Sequence, residues 1–222
     1  MEGLSVRFFR FVRSGVLHLD ASPRGERSIS RQLTREFAGV WKQANPGGQI
    51  IYRDLGHNPV PLVTETFIAA VYTPVDVRSP ELRAAVATAE QVIAELEVGT
   101  DYLFGVPMYN FSVPAGFKAY VDQIVIPGRT YTVDESGRKE GLLLGKKATV
   151  ITCSGWFYGK GSRLAACNYQ EPWIRTIFAL IGVTSVDFVV ADGLAEIDCG
   201  KRERELYLRP IRERVQRKPG ER

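Results

Sequence analysis

Strand-like and helix-like stretches take turns along this chain, and that alternation leaves few architectures open. "GVLHLD" (15–20), "GQIIYRDL" (48–55), Tyr102 to Val106, "KATVITC" (147–153) and "VTSVDFVVADG" (183–193) are short apolar or β-branched runs closed by turn residues. Between them, apolar residues recur at helical spacing. Ile29, Leu33, Phe37, Val40, Trp41 and Ala44 form the first such stripe, with Ser28 or Ser30 available as its N-cap. Leu82, Val86, Ile93 and Leu96 mark a helix over about 79–97, opened by Ser-Pro-Glu. Further helices are expected from about Ala115 to Ile126, over "YQEPWIRTIFALIG" (169–182), and from Lys201 to Gln216. "GHNPVPLVTET" (56–66) is too Pro-rich for either element, and "GRTYTVDESGRKEGLLLGKK" reads as an excursion or loose hairpin around Glu135, Ser136 and Gly137. Five strands alternating with helices imply an α/β fold whose parallel sheet is covered on both faces.

A chain of 222 residues with 45% hydrophobic content fits one domain with a sizeable core. Residues 1–14 read as an extension ahead of the first strand, and 15–222 as the domain. Arg7, Arg10 and Arg13 interrupt the apolar part of that extension, which argues against a secretory signal. The longest apolar stretches, such as "TIFALIGV", fall well short of the ~20 residues that cross a bilayer, so a soluble protein without a membrane partner is expected. Cys153, Cys167 and Cys199 are odd in number and form no CxxC pair, and only two His accompany them. Neither a disulfide framework nor a metal site is favoured, and a reducing cytoplasm is the expected compartment. Of the net +4, residues 199–222 hold nine Lys or Arg against four Glu, and residues 1–14 three Arg against one Glu, which leaves 15–198 at −3. The basic character belongs to the ends, as a solvated terminal helix would have it, and no nucleic-acid partner is expected.

In an open parallel sheet the ligand sits beyond the carboxyl ends of the strands, where the strand order reverses. That rule selects the loops Ala21 to Ser30, Pro107 to Val113 and Cys153 to Ser162. The first offers hydroxyls at Ser22, Ser28 and Ser30 beside a helix N-terminus, whose unpaired N–H groups bind phosphate; taken alone it is also an ordinary capped turn. The second, Pro107-Met108-Tyr109-Asn110-Phe111, puts polarizable and aromatic contact next to a polar amide, as a flat ring system requires, though a core-packing turn has the same composition. The third has Gly155, Gly159 and Gly161 for close backbone approach, with Trp156, Phe157 and Tyr158 for stacking. Phosphate, ring and ring together describe a mononucleotide with a large planar head, and FMN fits. His18, inside the first strand, reads as a packed residue; His57 lies in the Pro-rich loop near the ligand mouth. Spacing implies no Ser-His-Asp or Cys-His arrangement, and no residue is assigned as catalytic.

The segments "VLHLDASPRGERSIS", "RDLGHNPVP", "PMYNFSVPAGFKAYVDQI", "GRTYTVDESGRKEGLLLGKKATVITCSG" and "FALIGVTSVDFVVADGLA" resemble the FMN-dependent NADH azoreductases, flavodoxin-like NAD(P)H:quinone oxidoreductases, over roughly residues 15 to 200. The resemblance implies a flavodoxin-like three-layer sandwich with a five-stranded parallel sheet, and an FMN-binding domain over 15–222. It carries the phosphate-binding positions onto Ser22, Ser28, Ile29 and Ser30, and the isoalloxazine contacts onto Pro107, Met108, Tyr109, Asn110 and Phe111. The family's next flavin loop, commonly Ser-Arg-Gly-Gly, becomes Cys153, Ser154, Gly155 and Trp156, and Tyr131 and Phe157 are the residues expected at the substrate pocket. The implied activity is ping-pong transfer of two electrons from NADH or NADPH to quinones or azo compounds by a homodimer. A flavodoxin-type electron carrier is the alternative, although −3 over 15–198 is weakly acidic for one. A phosphodiesterase-type hydrolase is disfavoured by the lack of a metal cluster or nucleophile motif.

Overall fold

The computed structural model of the chain describes residues 15–216; the expected extension over 1–14 lies outside the described residues. In chain order the elements are β1 (Gly15–Asp20), α1 (Ile29–Ala44), β2 (Gln49–Asp54), α2 (Glu65–Tyr72), α3 (Pro80–Val98), β3 (Asp101–Pro107), α4 (Ala115–Ile124), β4 (Tyr131–Val133), β5 (Lys139–Gly141), β6 (Lys147–Cys153), α5 (Gln170–Leu180), β7 (Ser185–Ala191), α6 (Ala195–Asp198) and α7 (Arg204–Gln216). One five-stranded sheet runs β2-β1-β3-β6-β7 with every pairing parallel, and β4 and β5 form a separate antiparallel hairpin. This is the doubly covered parallel sheet that the alternation predicts.

Period-two geometry sends successive side chains of each strand to opposite faces. On β3, Tyr102, Phe104 and Val106 join the cluster made with α3, α4 and α5, while Leu103 joins Leu33, Phe37 and Trp41 of α1 and Val215 of α7. Both faces are therefore buried, which is why the central strands read as continuous apolar runs. Phe104 is the hub of its face, with Phe117, Tyr120 and Phe178 at ring distances of 6.1, 6.4 and 5.6 Å. Burying one such side chain contributes about 1.5–3 kcal/mol.

Local signals set most boundaries. Ser28, rather than Ser30, caps α1 by accepting from the Arg31 amide at 3.5 Å, and Ser79 caps α3 with Pro80 in its first turn. Helix α4 stops at Ile124, two residues short of the expected Ile126. Pro127 disfavours helical backbone at the residue before it, and the Thr130 hydroxyl takes the Ile124 carbonyl at 2.6 Å. Helix α2 begins in the last residues of the segment read as non-regular. Pro59 and Pro61 restrict only their own surroundings, and Thr64 then caps Phe67 at 3.1 Å so that Phe67 and Ala70 pack under α3. The last helix starts at Arg204 because Gly200 reverses the chain at φ +71°, and the short α6 precedes it.

The β4–β5 hairpin lies at the amino ends of the sheet strands. Lys146 Nζ donates to the carbonyls of Glu97 and Gly99, just before β3, at 2.7 and 2.6 Å, and the Leu143 amide donates to Ile181, ahead of β7, at 2.9 Å. At the other end, α1 descends onto β1 and β3 at a point only glycine allows. A Cβ on Gly105 would lie 2.5 Å from Asp20 Oδ1 and 2.9 Å from Thr34 Cγ2. Gly105→Ala is therefore expected to lower stability by about 1–3 kcal/mol in chemical denaturation. Gly39→Ala, on the exposed side of α1 with nothing within 4 Å, is expected to raise it by about 0.5–1 kcal/mol.

Candidate functional site

After β1 the chain crosses toward β2, and after β3 it crosses the other way toward β6. The loops leaving these strands diverge, and a cavity of about 460 Å³ opens between them at the carboxyl ends. Ser22, Ser28, Ile29 and Ser30 line one wall, and Pro107, Tyr109, Cys153 and Gly155 line the other. Three loops that are far apart in sequence thus meet at one site.

The wall after β1 is a cluster of buried hydroxyls. Ser28 Oγ and Ser30 Oγ lie 3.0 Å apart, and Ser22 Oγ accepts from the Arg24 amide at 3.3 Å. The first-turn amides of α1 have no intrahelical acceptor and end at the same place. Hydroxyls and amides at a helix N-terminus, flanked by Arg24 and Arg27 on the cavity rim, are the donor set of a phosphate site.

The loop after β3 is a tight hairpin turn. Tyr109 and Ser112 exchange backbone hydrogen bonds at 3.0 and 3.1 Å, and Asn110 and Phe111 both take positive φ, +48° and +70°. Left-handed backbone at a bulky residue costs about 1–2 kcal/mol, which the surroundings must repay. They do so through the Met108 amide on Cys153 O at 2.7 Å, the Tyr169 amide on Phe111 O at 3.1 Å, and the Phe111 ring edge-on to Tyr158 at 6.2 Å. Met108 is half-buried at the base of the turn, and Asn110 and Phe111 stand exposed at its tip.

In the loop after β6, Cys153 and Gly155 face the cavity, but Ser154 turns its hydroxyl back onto Trp156 O at 2.8 Å. Trp156 is 62% exposed and does not line the cavity. Phe157 does not either. Its ring lies where a Cβ on Gly193 would meet it at 2.2 Å, with the Arg202 guanidinium 5.4 Å from its centre. Tyr131 sits on β4 at the amino ends of the strands, the far end of the sheet from its own chain's cavity, because α4 spans the sheet's length before the hairpin begins. Burial pushes the Cys153 thiol up to about 12, so it stays protonated at neutral pH and is no nucleophile.

Behind the phosphate wall lies a polar cluster that the loop motifs do not announce. Arg31, 5% exposed, donates from Nε to Ser22 O at 2.7 Å and from Nη1 to Asp54 Oδ2 at 2.9 Å, and its Nη2 pairs with Asp54 Oδ1. Tyr52 Oη receives from Arg31 at 3.0 Å and donates to Asp20 Oδ2 at 3.1 Å; the Thr34 hydroxyl donates to Asp20 Oδ1 at 2.8 Å. His18, buried as expected, sits edge-on to Tyr52, and His57 hydrogen-bonds Asp54 at 2.8 Å. The signal in sequence was a charged residue on the buried stripe of α1, three residues before Thr34.

Burial pushes the Asp54 carboxyl up, but hydrogen bonds from Arg31 and His57 outweigh it and hold the group well below the usual carboxylate range. A group depressed in the folded state contributes stability above its unfolded value, near 4, and loses that contribution as pH falls. The melting temperature of the wild type is therefore expected to fall more steeply between about pH 5 and pH 3 than that of Asp54→Asn, whose side chain has no proton to take up. Parallel acid limbs in differential scanning fluorimetry would count against this role for Asp54.

Comparison with known proteins adds the family. A family model described as a flavodoxin-like fold matches residues 14–215. The chain is 47% identical over 183 residues to the FMN-dependent NADH:quinone oxidoreductase of Nostoc punctiforme, across 82% of this chain and 89% of that protein. It is 48% identical over 201 residues to FMN-dependent NADH:quinone oxidoreductase 1 of Trichormus variabilis, across 90% and 93% of the two chains. The FMN-dependent NADH-azoreductase of Bacillus anthracis, solved in complex with FMN, superposes with a TM-score of 0.81 at 22% identity over 91% of this chain and 96% of that one, and shares the fold. A doubly covered parallel sheet with a phosphate-type cavity at its switch point and these relatives lead to one assignment: the chain belongs to the flavodoxin-like family of FMN-dependent NADH:quinone oxidoreductases.

Proposed function

We propose that residues 15–222 form one FMN-binding domain that transfers two electrons from NADH or NADPH to quinones and azo compounds, in two half-reactions sharing one site. The observation that carries this reading is that the buried serines Ser22, Ser28 and Ser30 share one cavity with Pro107 and Tyr109 of the turn after β3, whose Met108, Asn110 and Phe111 do not line it. The donor set fits the cofactor. Ser22, Ser28, Ser30 and the Ile29 amide would hold the phosphate, while the Pro107–Phe111 turn and the backbone of Cys153 to Gly155 would border the ring, with Trp156 outside the cavity. Bound there, FMN would supply the two-electron hydride chemistry of the reaction.

The chain's own part is to bind, orient and polarise. In the turn from Pro107 to Ser112 the amides of Met108, Tyr109 and Ser112 are committed to backbone carbonyls, so among the described residues those of Asn110 and Phe111 are the ones left to stabilise negative charge. The strained turn holds both amides in place before any ligand arrives, which avoids reorganisation during reaction. The exposed aromatic surfaces of Phe111 and Trp156 suit planar acceptors.

A second copy of the chain is part of the proposal. Leu62, Ile68, Tyr72, Val75 and Val77 leave an apolar surface on and around α2, with Leu62 and Tyr72 74% and 77% exposed. A homodimer would cover it. Tyr131, remote from its own cavity, reaches a substrate pocket only from a partner. The cytoplasm, where nicotinamide donors are plentiful and the free thiols of Cys153, Cys167 and Cys199 stay reduced, is the compartment this function requires.

The apoprotein should take up one FMN per chain, and NADH or NADPH should reduce a benzoquinone with parallel double-reciprocal lines. Recovery of FAD instead, or intersecting lines, counts against the reading. Ser28→Ala and Ser30→Ala are each expected to weaken FMN binding at least about tenfold, as loss of a hydrogen bond to a charged group does. Asn110→Ala should retain most FMN while changing the reduction rate in stopped flow; an unchanged rate would reduce the turn to packing.

A further inference from the structure

We infer that Arg31 is the positioning residue that sets the shape of the cofactor-phosphate loop. The inference rests on the FMN reading and extends it to a residue outside the cavity. Arg31 follows directly on the serine wall, yet it lines no part of the cavity and is almost wholly buried behind it. Each nitrogen of its guanidinium fork is used: Nε to the Ser22 carbonyl at 2.7 Å, Nη1 to Tyr52 Oη at 3.0 Å and Asp54 Oδ2 at 2.9 Å, and Nη2 to Asp54 Oδ1. One end of the fork grips the loop, and the other grips the end of β2.

The junction is too tight to hold another shape. A Cβ on Gly56 would lie 2.1 Å from Ser22 O and 2.6 Å from Arg31 Nη2, and the amides of Leu55 and Gly56 both donate to Asp20 O, at 2.9 and 3.2 Å. The segment Asp20 to Ser22 is thereby pinned against residues 54 to 56. Ser22 presents its hydroxyl to the cavity from the same residue whose carbonyl Arg31 holds. Arg31 thus acts on the phosphate site through Ser22.

Charge is the competing explanation, and the geometry argues against it. Asp54 and Asp20 face Arg31, Asp20 Oδ2 at 3.9 Å from Nη1, and Tyr52 stays neutral because burial and Asp20 push its hydroxyl up to about 12. His18 and His57 complete the surroundings. Arg31's positive charge is answered inside the protein, so its effect on a phosphate is directional rather than Coulombic. Lysine, a point charge without the planar fork, cannot hold Ser22 and both Asp54 oxygens together.

The test compares FMN with riboflavin, which has the same ring and no phosphate, in fluorescence titrations of apoprotein carrying Arg31→Lys or Asp54→Asn. Arg31→Lys is expected to weaken FMN at least about tenfold and riboflavin less than about twofold. Asp54→Asn, which keeps the guanidinium charge but loosens its anchor, is expected to weaken FMN as well. Tighter FMN binding by Asp54→Asn would overturn the inference in favour of charge. Equal losses for both flavins would overturn it too, by showing collapse of the whole site. Should Arg31→Lys not fold, Tyr52→Phe removes one tine's partner and is expected to give a smaller loss of the same FMN-selective kind; no FMN-selective loss would overturn the inference. Wild-type apoprotein that binds no FMN would sink the functional reading itself, whereas wild-type binding with unchanged variants would sink this inference alone.

Discussion

One buried guanidinium joins the two segments on which the candidate site is built. Arg31 holds the Ser22 carbonyl on one side and the Asp54 carboxylate on the other, between the first helix and the edge strand. Such pairs contribute little net stability, because both charges must be taken out of water. Removing one partner is another matter, since it leaves an uncompensated charge and costs about 3–5 kcal/mol. The pair therefore specifies more than it stabilises. It permits one arrangement of the loop that follows β1, in which Ser22, Ser28 and Ser30 line the same cavity.

The sheet supplies the rigid side of the same arrangement. Its three inner strands, β1, β3 and β6, are covered on both faces, and at its carboxyl end Gly105 lacks the side chain that would hold α1 away. The C-terminal elements steady the third loop from outside. The Tyr158 amide donates to Asp192 Oδ2 at 3.1 Å, the Tyr207 hydroxyl bonds the Asp192 carbonyl, and Arg202 lies over both Phe157 and Tyr207, at 5.4 and 4.9 Å from their ring centres. Of the three aromatic residues in that loop, Tyr158 is buried, while Phe157 is held at the surface under Arg202 and Trp156 is the most exposed, at 62%.

Much of the fold was legible because its signals are local. The strands at 15–20 and 147–153 begin and end where their apolar runs do, and Ser28, Ser79 and Pro80 mark their helices by capping chemistry. Helix α2 was hidden because eight residues carry barely two turns of periodicity, and the prolines before it masked its cap at Thr64. At the site, composition located the loops. It did not tell Tyr109, which faces the cavity, from Phe157, which does not, since both are aromatic residues in a loop after a strand.

The sequence by itself determined the alternation of strands and helices, the covered parallel sheet, and the chemistry available at each of three loops. These follow from periodicity and turn preferences that act within a few residues. Only the tertiary structure decided that Arg31, Tyr52, Asp54 and Asp20 form one network behind the phosphate wall, and that Tyr131 lies at the opposite end of the sheet from its own cavity. Those facts depend on strand order, which brings β2 beside β1 and sends the hairpin to the amino ends. Strand order is set by long-range burial that no short stretch of sequence encodes.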